Sequence, residues 1–101
     1  MKNATINING FQWVILFVDK EHIKGFDGQT LHNERNIKIR NDLDCVATEI
    51  TLKHELTHAL LGTQGRCYQT KFNVEELCEF VAYCGNTIQH LCDQILGNVY
   101  E

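Results

Sequence analysis

The sequence lacks several residues and patterns that mark whole classes of protein. No proline occurs among its 101 residues, so its turns have to be made by glycine, asparagine and aspartate. Basic residues are few. The chain has 9 Lys and Arg and 13 Asp and Glu, which gives a net charge of -4. Since no basic run offsets this balance, we expect no nucleic-acid binding by this chain alone.

Long hydrophobic segments are missing as well. The longest apolar run, WVILFV from Trp13 to Val18, is far shorter than the roughly 20 residues that a membrane-spanning helix needs. Only Lys2 precedes it as a basic residue, and no small-residue cleavage pattern follows it, so it does not resemble a signal peptide. We therefore expect no membrane association and predict that this run is a buried strand.

Cysteine pairs are absent too. The 5 cysteines are odd in number and include no C-x-x-C pair, which argues against a disulfide framework and against an all-thiolate zinc site. We predict free thiols that serve as small core residues in a reducing compartment. The expected location of the protein is the cytoplasm.

Strands precede helices along the chain. Three segments have the alternation or the β-branched content of strands, namely ATINING from Ala4, FQWVILFV from Phe11 and NIKIR from Asn36. Turn-forming stretches separate them, at Gly10 and in the segments GFDG and HNERN. This order predicts one α+β domain over residues 1–101, in which a small twisted sheet of three or four strands is followed by two helices.

Capping residues set the expected bounds of the two helices. The first helix is predicted to begin near Asn41 or Asp42, either of which could cap it, and to end at Gly62. The second is predicted over Val74 to Leu96, with Asn73 as its cap. Its apolar stripe, expected to pack on the protein body, consists of Leu77, Val81, Cys84, Ile88, Leu91 and Ile95.

The first helix contains the motif H-E-x-x-H, formed by His54, Glu55 and His58. Residues i and i+4 of a helix differ by about 40°, so both imidazoles can reach one metal ion. Glu55 lies one step around the helix, close enough to take a proton from a water on that ion. We predict one zinc ion per chain. The apolar residues on the same side of the helical wheel predict that the histidines face the core; they are Leu43, Ala47, Ile50 and Leu61.

A catalytic zinc normally takes three protein ligands, and the second helix has to supply the third. His90 lies about 22 Å further along that helix than Glu75, and Glu76 lies about 100° around it. Glu75 and Glu79 share a face with the small residue Ala82, which would let the helices approach. We predict Glu75 as the ligand and Glu79 as the acceptor for the free N–H of a ligand histidine. The alternative is a solvated acidic helix face.

These two helices resemble a family of metallopeptidases. HELTHALLG followed by VEELCEFVA is similar to the gluzincin arrangement, in which H-E-x-x-H is followed by E-x-x-x-[D/E] on the next helix. The stretch from Ile8 to about Ile88 resembles small phage and mobile-element metallopeptidases related to the ImmA/IrrE family. The resemblance implies a zincin-like peptidase domain and these roles: zinc ligands His54, His58 and Glu75, general base Glu55, and outer carboxylate Glu79. Relatives often carry a DNA-binding or sensor domain, for which this chain has no room, so any regulatory partner is expected to be a separate protein.

The motif and the resemblance both point to a zinc-dependent peptidase that hydrolyses a cytoplasmic protein or peptide, with Glu55 as the general base. Tyr68 is a candidate to stabilise the transition state, although a packing or surface tyrosine is an equal alternative. We expect an extended substrate to pair with a sheet edge formed by the strand Asn36 to Arg40. The competing hypothesis is an inactive, metal-stabilised interaction module, in which Cys67 or Tyr68 would close the coordination sphere.

Overall fold

A mixed four-stranded sheet forms one layer of the protein. The computed structural model describes residues 3–66 and 71–100. Within them the strands are β1, Ala4–Ile8; β2, Phe11–Val18; β3, Gly28–Leu31; and β4, Asn36–Arg40. The strand order is β1-β2-β4-β3, with β2 parallel to β4 and the other two pairings antiparallel. The prediction of an α+β domain with three or four strands is confirmed.

Two helices cover one face of this sheet. They are α1, Cys45–Thr63, and α2, Val74–Val99. Helix α1 packs over β3 and β4, whereas α2 packs over β1. Strand residues alternate between the two faces of a sheet, and from Trp13 onward every second residue of β2 (Trp13, Ile15 and Phe17) is buried beneath the helices. Ile37 and Ile39 of β4 extend the same core.

The capping prediction is confirmed for α2 and wrong for α1. Asn73 caps α2, and its side-chain oxygen accepts a hydrogen bond from the Glu76 backbone N–H at 2.8 Å. Helix α1 is capped by Asp44, which accepts from the backbone N–H of Ala47 at 2.7 Å. Of the two predicted caps, Asp42 instead accepts hydrogen bonds from the Arg40 guanidinium at 2.8 and 3.0 Å.

The predicted end of α1 is also displaced. Gly62 lies inside the helix, and the glycine in the left-handed region is Gly65, with φ of +73°. The Gly65 N–H donates to the carbonyl of Gly62, and the Arg66 N–H donates to that of Leu61 at 2.8 Å. This pair of bonds is a Schellman motif, which satisfies the last carbonyls of the helix and stops it at Thr63.

The prediction that the histidine side of α1 faces the core is wrong. His54 and His58 are exposed, and so is Ile50, which shares their side of the helix. The sheet instead covers a neighbouring face made of Thr48, Leu52, Glu55, Leu56, Ala59 and Leu60. A helical wheel with apolar residues on two sides does not say which side meets the sheet, because that depends on where the sheet lies.

The two helices run antiparallel, and α2 extends beyond the end of α1. Gln64 donates to the Cys84 thiol at 3.5 Å, and Tyr100 at the other end of α2 contacts Thr48 and Cys45. The residues of α2 that precede Cys84 therefore lie past α1. This explains why the predicted apolar stripe is buried only in its second half: Cys84, Leu91 and Ile95 are buried, whereas Leu77 and Val81 are exposed.

The described cysteines are unpaired thiols in two kinds of environment. Cys84 and Cys92 are buried in the core as predicted, and burial raises the pKa of Cys92 to about 11, so its thiol stays protonated at neutral pH. Cys45 and Cys78 are exposed, contrary to the expectation that the thiols serve as core residues. Among residues 3–66 and 71–100, neither helix has the length and apolar character needed to cross a membrane.

Candidate active site

A cleft of about 300 Å³ lies between α1 and strand β3. His54, Glu55 and His58 line it from the helix side, and residues of β3 and of the turns at its two ends form the other wall. Those residues are Phe26, Gly28, Gln29, Thr30 and His32. The three members of the H-E-x-x-H motif therefore meet in one concave site.

The two histidines have the spacing of a metal-binding pair. Their ring centroids are 5.0 Å apart, and the ring planes make an angle of 68°. Two imidazoles that bind one zinc ion through ring nitrogens at about 2.0–2.1 Å, with a tetrahedral angle between them, have centroids about 5 Å apart. Since the His54 side chain is 67% exposed, an ion could reach this pair from solvent. The distance between the two rings is compatible with their acting as two ligands of one zinc ion.

Glu55 differs from the histidines in being buried. Its side chain is only 8% exposed, and its Oε2 lies 3.9 Å from His54 Nε2. The Thr30 hydroxyl donates to Glu55 Oε1 at 2.8 Å, with the Glu55 carbonyl oxygen 3.1 Å away. One oxygen of the carboxylate is thus held by β3 through Thr30, while the other lies 3.9 Å from His54 Nε2. A carboxylate held in this way is suited to accept a proton in the cleft.

Gly28 allows this arrangement because it has no side chain. A Cβ at this position would lie 2.7 Å from Thr51 Cγ2, 2.8 Å from Glu55 Cγ and 3.1 Å from Glu55 Oε2. The backbone of β3 therefore passes directly against the helix at the motif. Gly28 is the first residue of β3, and the sequence placed it in the turn segment GFDG, so its close approach to the helix became visible only in the structure.

We expect Gly28→Ala to destabilise the protein by about 1–3 kcal/mol, because the added methyl group overpacks a tight contact. Urea unfolding measures this change. Thr51→Ser in the same chain removes the nearest atom, so the double variant should recover part of the loss. The matched control is Gly85→Ala in α2, whose Cβ would meet nothing closer than Val81 Cγ1 at 3.9 Å. It should gain about 0.5–1 kcal/mol, and equal losses at both glycines would contradict the contact at Gly28.

The sheet edge beside the cleft is β3, and the prediction of β4 is wrong. Strand β4 lies between β2 and β3, so both of its edges are already paired. Strand β3 has β4 on one side and no partner strand on the other among the residues that the structure describes. The short GQTL segment shows no apolar alternation, which is why the sequence did not reveal it as a strand.

The predicted carboxylate ligands lie on the part of α2 that extends past α1. Gln64 of α1 contacts Cys84 of α2. His58 precedes Gln64 on α1, and Glu75 precedes Cys84 on α2. Because the helices are antiparallel, these two residues lie in opposite directions from that contact, roughly 20 Å apart along the helix axes. Glu79 is exposed on the same segment. Across residues 3–66 and 71–100, no three His, Cys, Asp or Glu side chains lie together in a way that could hold a metal ion. The structure therefore brings together two of the three predicted ligands.

Tyr68 and Cys67 lie outside the residues that the structure describes. Five residues that the sequence did not predict as part of the site also line the cleft: Phe26, Gly28, Gln29, Thr30 and His32. Their proximity to the motif depends on the placement of β3, which the sequence did not reveal as a strand.

A functional proposal for this protein has to rest on the geometry of the site, because the comparisons with known proteins found no match. Two histidines whose ring centroids are 5.0 Å apart, a buried carboxylate beside them and an open sheet edge all belong to one cleft. No protein-family profile matches the chain, and no curated protein or solved structure matches it significantly.

Proposed function

We propose that the protein is a zinc-dependent peptidase whose active site is the cleft between α1 and β3. The observation that supports this most strongly is the position of Glu55, a buried carboxylate that lies 3.9 Å from an imidazole nitrogen of the histidine pair. A glutamate that only packs against its neighbours is rarely buried in a cleft, since burying a carboxylate costs free energy. The same arrangement is useful for proton transfer.

In this proposal His54 and His58 hold a zinc ion, with Glu75 as the predicted third protein ligand. When bound, the ion supplies a Lewis acid that polarises a peptide carbonyl and lowers the pKa of water. Glu55 Oε2, on the side of the carboxylate that faces His54, accepts the proton of the attacking water and then passes it to the leaving amine. Thr30 holds the other oxygen and so fixes the direction of the carboxylate.

The substrate in this proposal is an extended peptide that pairs with the open edge of β3. Main-chain groups of an edge strand bind a peptide without regard to its sequence, and adjacent pockets then select side chains. A strand added to β3 lies directly against the cleft that contains Glu55, because Gly28 and Thr30 both contact that residue. Peptides bound in this way present a backbone carbonyl to the histidine pair.

The third ligand can be tested separately. We expect Glu75→Ala to weaken zinc binding far more than Glu76→Ala, since Glu76 lies on a different face of α2 and is 3.9 Å from Arg66. For Glu75 to bind, the first turns of α2 have to move toward His58. Titration of each variant with zinc measures the affinity. If Glu75→Ala binds zinc as tightly as the parent chain, the ion takes its third ligand from elsewhere.

The experiment that tests the peptidase itself is digestion of a peptide library by the zinc-loaded chain. Cleavage by the parent chain, blocked by a chelator and missing in Glu55→Gln, is the expected result. New peptide termini, identified by mass spectrometry, report the cleaved bonds. A zinc-loaded, folded chain that cleaves nothing in the library or in a host-cell lysate would contradict the proposal.

A metal-stabilised interaction module remains the second candidate, because one observation favours it. Val74, Leu77 and Val81 form an apolar row on α2 and are 72%, 53% and 59% exposed. Apolar rows of this kind often contact other proteins. In this alternative Glu55 has no chemical role, so Glu55→Gln would keep full biological activity.

A further inference from the structure

A second cleft, of about 330 Å³, adjoins the candidate active site. Its walls are formed by the β1–β2 hairpin, the turn after β3 and the end of α1, through Asn9, Phe11, Trp13, His32, Arg35, Gly62 and Thr63. His32 lines both clefts. Its ring packs edge-on against Trp13, with centroids 6.3 Å apart. A ligand that extends from one cleft into the other therefore passes His32.

Arg35 places a positive charge in this second cleft. The central guanidinium carbon lies 4.2 Å from the centroid of the Phe11 ring, a cation–π contact that orients the side chain. No carboxylate forms an ion pair with Arg35 among residues 3–66 and 71–100, whereas Arg40 is paired with both Asp27 and Asp42. The guanidinium is thus oriented by an aromatic ring and keeps its hydrogen-bond donors available for a ligand.

The backbone of Arg35 is in a conformation that favours glycine. Its φ is +53°, and its N–H closes the turn after β3 by donating to the carbonyl of His32 at 3.3 Å. A non-glycine residue in the left-handed region costs free energy, and such residues cluster at functional sites. An arginine at this position adds a cation to the cleft at the expense of stability.

Resting on the proposed peptidase function, we infer that this second cleft binds an acidic side chain of the peptide substrate. A guanidinium binds a carboxylate through two parallel hydrogen bonds, and the ring of Phe11, which is 51% exposed, offers an apolar surface for the methylene groups. Thr30, which contacts Glu55, lies in β3, and His32 begins the turn that follows Leu31, the last residue of that strand. We therefore expect the acidic residue within a few positions of the cleaved bond.

Binding can be measured without cleavage, since Trp13 is the only tryptophan and lines the cleft. The probes are two blocked hexapeptides that differ only in Glu or Gln at one position, titrated into the Glu55→Gln chain and followed by tryptophan fluorescence. We expect the Glu peptide to bind about 5- to 10-fold more tightly, because its carboxylate meets an exposed guanidinium. Arg35→Gln should remove that difference. Lys24→Gln should keep it, since Lys24 also has a positive φ, +25°, but does not line the cleft.

Arg35→Gly separates recognition from folding. Glycine adopts the turn without strain, so this variant should be at least as resistant to urea as its parent and should still lose the preference for the Glu peptide. Equal binding of the two peptides by the Glu55→Gln chain, no binding of either, or a preference that survives both Arg35 variants would overturn the inference. Failure of the peptidase proposal would look different. The Glu55→Gln chain would still prefer the Glu peptide in a way that depends on Arg35, but the zinc-loaded parent chain would cleave neither peptide.

Discussion

Replacing His54 or His58 with alanine is expected to abolish tight zinc binding. Each substitution removes one imidazole of a pair whose ring centroids are 5.0 Å apart, and an ion left with fewer than three protein ligands is rarely retained. We expect the affinity to fall about 100-fold or more, as measured by calorimetric titration with zinc. His90→Ala is the matched control, because His90 is exposed on α2 and does not line the cleft.

Thermal unfolding gives an independent measurement of the same site. A ligand that binds only the folded chain stabilises it by about 2.7 kcal/mol when its concentration is 100 times the dissociation constant. Zinc should therefore raise the melting temperature of the parent chain and of His90→Ala, and leave that of His54→Ala unchanged. A His54→Ala chain that binds zinc with full affinity and is stabilised by it would contradict the assignment.

Replacing Glu55 with glutamine is expected to remove peptidase activity while leaving the fold and the zinc affinity nearly unchanged. Glutamine keeps the size of the side chain, and its amide oxygen can still accept the hydrogen bond from Thr30. It cannot take a proton from water at neutral pH. General-base catalysis contributes about 10²–10⁴-fold, and we expect a loss near the upper end of that range, measured as kcat/KM on a cleaved peptide.

Glu49→Gln is the control for this substitution. Glu49 lies on the same helix, and its carboxylate pairs with Lys53 at 3.0 Å on the surface, away from the cleft. An exposed ion pair of this kind is worth at most about 1 kcal/mol, so activity should be retained. If Glu55→Gln keeps full activity, the hydrolase proposal fails, and the interaction module becomes the better account of the protein.

Features that depend on neighbours in the chain were predictable from the sequence. The spacing of His54 and His58 places both rings on one side of a helix, because four residues make slightly more than one turn. Asn73 caps α2 through a bond to the backbone three residues later, so its role is local as well. The alternation in ATINING and NIKIR likewise indicated strands that are buried on one face.

Local signals failed where two candidates for one role lie close together in the chain. Asp42 was a reasonable cap for α1, but Arg40 binds its carboxylate, and Asp44 caps the helix instead. The exposure of the histidine side of α1 has a different cause, which is long-range packing. The sheet lies against the side that carries Leu52 and Leu56, and the wheel alone could not identify which apolar side would be covered.

The sequence by itself identified the motif residues of the candidate site, and the tertiary structure decided what surrounds them. Which residues could bind a metal and accept a proton follows from their types and their spacing on one helix. Which strand lies beside them follows from the parallel pairing of β2 with β4, which leaves β3 at the edge. Only that pairing brings Gly28 and Thr30 to Glu55, and His32 and Arg35 to the adjoining cleft. Contacts between segments far apart in the chain leave no periodic pattern in the sequence, because each depends on the packing of the whole fold.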